Sequence, residues 1–296
     1  MADTVFSTAW TRMLQDVCKS AIALFLGGVY FLLGVVAFYL FSRRNTNERV
    51  IFMCAIAAML CLAIAELVMQ IIVTSFSMRL LFSAGMQDIE SVSFLKQQAS
   101  IEHLSDMTVF VEDLILVTNN AVADGLFAYR CYLIWGPGHN KQIIVLPLLL
   151  LLITTGLGYI TVYFNDLRAA GSHSMDSRIG FAFAIVTNLV LTGLTAGRIW
   201  WTRRELRIVG QEKFAQRYTN AISVLLESGA AYCLFLVLVI IALTFGRKAT
   251  SGPTATFASL AYGAAGQLVN IVPTVFIVRI CLFTGPDSQK VSKFVV

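Results

Sequence analysis

Charge is scarce in this chain. Of its 296 residues only 13% are Asp, Glu, Lys or Arg, where a soluble domain carries about 25%. That shortage, with 57% hydrophobic residues, excludes a water-soluble globule. Histidine is almost missing: His103, His139 and His173 are the three present, all in or beside polar connecting stretches. A transmembrane haem needs paired histidines inside apolar segments, and an intramembrane zinc hydrolase needs histidines clustered with carboxylates. Both are excluded. The last apolar segment has no Lys between 254 and 284, which rules out a retinal Schiff base. No phosphate loop, serine-nucleophile elbow or CxxC pair occurs, so no catalytic residue, metal or cofactor is assigned and an enzyme is not expected. Five of the six cysteines (Cys54, Cys61, Cys131, Cys233 and Cys281, with Cys18 apart) fall in apolar segments, so no extracellular disulfide framework is visible. Asn-x-Ser/Thr acceptors are also absent.

What is abundant comes in blocks. The mean hydropathy is +0.76, and the apolar residues gather into runs of membrane-spanning length, about 20 residues each. Seven can be read, at approximately 21–41, 50–76, 107–135, 143–164, 179–201, 218–245 and 254–283. The expected fold is all-α: a single polytopic domain over 1–296, a seven-transmembrane helix bundle whose natural partner is membrane lipid. The third run is the least hydrophobic and the first that a strict hydropathy cutoff would lose. The run at 21–41 is too long for a signal-peptide core and is followed by Arg43-Arg44 without a cleavage pattern, so it reads as a retained span.

Lys and Arg in the short connections set the orientation. Fourteen of the twenty-two basic residues fall on one side, in 42–49, 130–141, 198–217 and 279–293. The N-terminus is therefore expected outside and the C-terminus in the cytoplasm, with Trp135, Trp200 and Trp201 at the cytoplasmic interface. The net charge of +5 follows from this bias and needs no nucleic-acid partner. The basic 202–216 loop is the candidate docking place for a cytoplasmic partner, although topology alone accounts for it. The longest connection, 77–106, either holds a short interfacial helix ("VSFLKQQASIEHL") or extends the second and third spans.

Polar side chains inside the spans carry the functional signal, because a charged group at mid-membrane costs about 2.5–3.5 kcal/mol on insertion scales. In "VTNNAVADGLFAYRCYLIWG" (117–136), helical spacing places Asp113, Asn120 and Asp124 within about 40° of one another. Glu112, Asn119 and Arg130 form a second stripe about 100° away. That side of the third helix should face the bundle. Glu66, Gln70 and Thr74 share a face of the second span, Asn188, Thr192 and Thr195 of the fifth, and Gln267, Asn270 and Thr274 of the seventh. At about 1.5 Å per residue, Glu66, Gln70, Glu112 and Asp113 fall in the outer third. Asn119, Asn120, Glu227 and Gln267 fall near the middle, and Asp124 and Asn270 deeper. The pattern predicts an acidic outer vestibule above a polar amide core. The first and fourth spans, poor in polar groups, are expected to face lipid.

A rhodopsin-like receptor is a partial match only. The third span lacks an acid-Arg-Tyr triplet and a Cys at its top, and the seventh reads "NIVPTVFIVR" rather than Asn-Pro-x-x-Tyr. The stretches "NNAVADGLFAYRCYLIWG", "GRIWWTRRE", "RYTNAISVLLESGAAYCLFL" and "QLVNIVPTVFIVR" resemble a large orphan family of receptor-like, seven-span membrane proteins from mushroom-forming fungi. The resemblance runs from the third span to the seventh. It implies the seven-span count and directs attention to Asn120, Asp124, Arg130, Glu227, Asn270 and Pro273.

Three readings follow. In the first, the chain is a sensor in a plasma membrane or endomembrane. Glu66, Gln70, Glu112, Asp113, Asn119, Asn120, Glu227 and Gln267 then contact a small extracellular ligand, while Asp124, Arg130, Asn270 and the helix-flexing Pro273 form a switch or bundle lock. In the second, it is a transporter or proton-coupled carrier whose Glu66, Asp124 and Glu227 titrate. In the third, it is a structural membrane protein whose polar groups only hold helices together.

Overall fold

The computed structural model describes residues 2–43, 49–86, 92–135, 142–164, 178–208, 212–246 and 252–283. Among these the chain is all-helical, with seven helices: α1 (Ala2–Ser42), α2 (Arg49–Met86), α3 (Val92–Trp135), α4 (Gln142–Val162), α5 (Arg178–Ile208), α6 (Glu212–Gly246) and α7 (Pro253–Phe283). Six of them, all but α3, are long and apolar enough to cross a membrane, the make-up of a multi-pass membrane protein. α3 falls short of that because of its polar residues, of which Glu112, Asn119 and Asp124 are buried against other helices.

Several helices are longer than the apolar runs that seed them. α1 begins at Ala2 rather than near residue 21, so what reads as an N-terminal tail is helix carrying Asp16, Lys19 and Ser20 into the bundle. α2 and α3 extend through most of 77–106, the second of the two alternatives for that connection. The basic 202–216 segment is also mostly helix, since α5 runs to Ile208 and α6 starts at Glu212.

The helices alternate in direction. Asp16 and Ser77, Lys19 and Glu112, Tyr262 and Asp113, and Arg178 and Thr244 meet at the end where α1 begins, here called the proximal end. Consecutive helices pack as neighbours, α7 closes against α1 and α6, and α3 also touches α5 and α7. α7 is the most enclosed: 61% of its most apolar stretch is buried, against 22–33% for the other five candidate spans. α4 is the most peripheral, with Leu146, Leu149 and Leu152 exposed, as its composition suggests. α1 is only half peripheral: Leu24, Phe25 and Leu32 are exposed while Tyr30 is 1% exposed in the core.

The distal half of the bundle is an apolar core of Tyr30, Phe41, Phe52, Ile56, Met59, Leu126 and Ile277. Phe41 stacks on Phe52, and Tyr129 meets Phe52 edge-on. The proximal half holds most of the buried acids and amides. Small residues let α7 into the centre. A Cβ at Gly263 would lie 2.5 Å from the carbonyl oxygen of Lys19, and one at Gly266 would collide with the Glu66 carboxylate. Close backbone approach through small residues is the usual means of helix association in lipid, where hydrophobic exclusion is weak. Gly252, just before α7, has a φ of +104° that suits glycine. Its carbonyl accepts from the Thr256 amide at 3.2 Å, and Pro253 occupies the first helical position, where its missing N–H costs nothing.

Gly263→Leu should therefore force α1 and α7 apart. The expected destabilisation is about 1–3 kcal/mol, measured as a lower Tm of the detergent-purified protein. Gly197→Ala, whose added methyl meets nothing within 4 Å, should leave Tm unchanged or raise it.

Candidate functional site

Two buried polar layers occupy the proximal half and the middle of the bundle. The first is built on Glu66, Gln70 and Thr74 of α2, whose spacing by four puts them on one face. Gln70 donates from Nε2 to Glu112 Oε1 at 3.2 Å, and Ser20 and Thr74 share a hydrogen bond of 2.7 Å. Lys19 Nζ lies 2.7 Å from Glu112 Oε1, in an ion pair whose side chains are 14% and 2% exposed. The same ammonium sits 5.1 Å from the centre of the Tyr262 ring, within cation–π range. Ser77 donates to Asp16 one turn above. Glu66 rests on Gly266 and accepts from Gln267 Nε2 at 3.4 Å.

Glu112 and Asp113 are neighbours in sequence, so on a helix they point about 100° apart. Glu112 turns toward α1 and α2. Asp113 turns toward α7, where its Oδ1 accepts from the Tyr262 hydroxyl at 2.5 Å. One acid pair thus serves two different places.

The second layer centres on Asn120. Its Nδ2 donates to Asp124 Oδ2 at 3.1 Å, and its Oδ1 accepts from the Tyr232 hydroxyl at 3.1 Å. Asn119, fully buried, has no hydrogen-bond partner on either amide atom among the described residues, and the Oε1 of Gln267 and Oδ1 of Asn270 also lack one. Buried polar atoms left unsatisfied cost about 1–3 kcal/mol each and invite a ligand or water.

Between α3, α4, α5, α6 and α7 lies a cavity of about 100 Å³. Its polar wall consists of Asp113, Asn120, Tyr232, Tyr262 and the α4 threonines Thr154, Thr155 and Thr161. Leu116, Val117, Phe181, Leu236 and Val269 supply most of the apolar wall. Thr154 is tied to Thr187 of α5 by a 2.7 Å hydrogen bond.

Of the sequence-expected residues, Glu66 meets Gln267, Gln70 meets Glu112, and Asn120 meets Asp124. Asp113 and Asn120 line the cavity, whereas Glu66, Gln70, Glu112, Asn119 and Gln267 do not. The acids do not form an open vestibule, because Glu66 and Glu112 are each only 2% exposed. Glu227 does not face the bundle interior: its side chain is 67% exposed and pairs with Arg279 at 3.2 Å. Its place on α6 turns it to the outside of the bundle, beside Arg279 of α7. Arg130 lies near the end of α3, and its side chain is outside the described residues. Asn270 bonds back to Gly266 O at 3.3 Å, and α7 is continuous through Pro273. Lys19, Tyr232, Tyr262 and the α4 threonines had no distinctive sequence signal. A Lys at the edge of an apolar run reads as a flank, and Tyr and Thr are ordinary in membrane helices.

Among the described residues no three His, Cys, Asp or Glu side chains converge as a metal ion requires. No family model matches the chain, and no curated protein or solved structure matches it either.

Breaking a buried ion pair on one side leaves an uncompensated charge, at a cost of about 3–5 kcal/mol. Lys19→Met alone should show a loss of that order in unfolding measurements. Lys19→Met combined with Glu112→Leu should lie closer to wild type than either single change. Glu227→Gln, at an exposed pair, should cost about 1 kcal/mol or less.

Proposed function

We propose that the chain is a seven-span membrane protein, N-terminus outside, that acts as a receptor-like sensor of a small molecule held in the cavity between α3 and α7. The observation that carries this reading is the cavity itself. It opens among five helices and is lined by Asp113, and its Asn120 belongs to the Asn120–Asp124–Tyr232 network that links α3 to α6. Counting α3 as a span is supported by its contacts with α2, α4, α5 and α7, which shelter its polar face. The excess of Lys and Arg in 42–49, 130–141, 198–217 and 279–293 supports the orientation. The similarity of several stretches to orphan fungal seven-span proteins is in keeping with a receptor-like role.

The mechanism is a population shift between two packings of the bundle. A ligand beside Asp113 and Tyr262 changes the position of α3 relative to α7, and the Asn120–Tyr232 bond passes that change to α6. Pro273 supplies compliance in α7, because it cannot donate a backbone hydrogen bond to the carbonyl of Val269. The basic distal ends of α5 and α6 are where a cytoplasmic partner would read the movement. A carrier that titrates Glu66, Asp124 and Glu227 along one path is less well supported, since Glu227 lies on the exterior with Arg279.

The test is a thermal-stability screen of the purified protein against small fungal metabolites. At least one compound should raise Tm by several degrees, and Asp124→Asn or Tyr232→Phe should reduce that shift by more than half. If no compound moves Tm and both variants are merely less stable, the polar layers are a lock and the sensor reading fails.

A further inference from the structure

What the cavity wall leaves unsatisfied narrows the ligand. The cavity volume, about 100 Å³, is below the roughly 150 Å³ of an apolar cavity that takes benzene. An occupant of about four to six non-hydrogen atoms fits. Most of the polar wall is already engaged within the protein. Asp113 accepts from the Tyr262 hydroxyl, Asn120 is bonded to Asp124 and to Tyr232, and Thr154 shares a hydrogen bond with Thr187. Thr161 of α4 differs from these. It lines the cavity, is only 6% exposed, and its hydroxyl has no hydrogen-bond partner among the described residues. A buried hydroxyl left in that state is costly. An ordered water needs about two to four polar partners to stay in place, and a wall whose polar groups mostly bond one another holds it poorly. Displacing such a water with an apolar group favours binding.

We propose that this cavity is a binding site for a short neutral aliphatic molecule bearing one oxygen, an alcohol or a ketone. Its oxygen bonds to the Thr161 hydroxyl, and its alkyl part lies against Leu116, Val117, Phe181 and Leu236. The proposal rests on the sensor reading and specifies its ligand class. A threonine hydroxyl both donates and accepts, so it satisfies either kind of oxygen. A charged ligand has to shed its hydration before a largely apolar wall, where the carboxylate present is already held by Tyr262. An alkane of the same size fills the space and leaves Thr161 unpaired.

Butanol, butanone, pentane and butylamine, matched in size, separate these cases. Each is titrated into the full-length, detergent-purified protein at neutral pH, with apparent Kd taken from thermal-shift curves. Butanol and butanone are expected to bind, and butylamine, protonated under these conditions, about tenfold more weakly. Thr161→Val keeps the shape and removes the hydroxyl. It should weaken butanol and butanone about fivefold and leave pentane unchanged, a split that a merely structural role would not produce. Thr161→Ser keeps the hydroxyl and should restore the preference for the oxygenated pair. Gly180→Leu grows from a position on the cavity wall whose added Cβ meets nothing within 4 Å. It should abolish binding of all the neutral probes with Thr161 intact, which guards against misfolding of the Thr161 variants. Cholesterol carries one hydroxyl on a body far too large for the cavity and should not compete. Tighter binding of butylamine than of butanol overturns the neutral class. A Thr161→Val variant that binds butanol as the wild type does, or loses pentane equally, overturns the role of Thr161. Competition by cholesterol overturns a small free molecule as the source. No binding by any probe, while the metabolite screen yields a hit, overturns the ligand class alone. Failure in both experiments overturns the sensor reading with it.

Discussion

The ammonium of Lys19 is the contact on which the proximal half of this bundle depends. It comes from α1, reaches Glu112 on α3, lies over the Tyr262 ring on α7, and shares Glu112 with Gln70 of α2. Four helices meet at one cation. Such an arrangement is costly to desolvate, and an apolar replacement of matched volume is often as stable. Its value lies in register: it places α1, α2, α3 and α7 at one height.

Close packing makes the electrostatics possible. α7 reaches the centre because Gly263 and Gly266 have no side chain to hold α1 and the Glu66 carboxylate away. Once there, α7 presents Tyr262, Gln267 and Asn270 to the acids and amides of α2 and α3 or to its own backbone. The apolar half below, with Phe41, Phe52 and Tyr129 in contact, has no polar directionality. It supplies area and little specificity. Division of labour along the axis follows: the distal half holds the helices together and the proximal half decides how they are aligned.

Periodicity made much of this readable. The four-residue spacing on α2, the bundle-facing side of α3 and the Gln267/Asn270/Thr274 stripe of α7 all point inward as their spacing requires, and Gln267, Asn270 and Thr274 are fully buried. Pairing was not readable, because periodicity gives a direction and says nothing of what stands opposite. Lys19 looked like a flanking charge because α1 continues beyond its apolar run. Glu227 stands apart from the buried acids because its side chain turns outward to Arg279, a direction that a single acid on α6, with no polar stripe beside it, does not reveal. Tyr232 and Tyr262 are amphipathic, and their hydroxyls gain meaning only beside Asn120 and Asp113. The polar lining contributed by α4 was hidden for the same reason: threonine on a lipid-facing helix is unremarkable until its inner face is known.

Glu112 and Asp113 are consecutive, and that has a mechanical meaning. The first holds the Lys19 cation and the second borders the cavity, so the two are fixed to one rigid rod at an unchanging angle. Any turn of α3 about its own axis that brings Asp113 further into the cavity must carry Glu112 by the same angle against Lys19 and Gln70. The two carboxylates are thus geometrically locked together, and neither contact can be altered by rotation of α3 without altering the other.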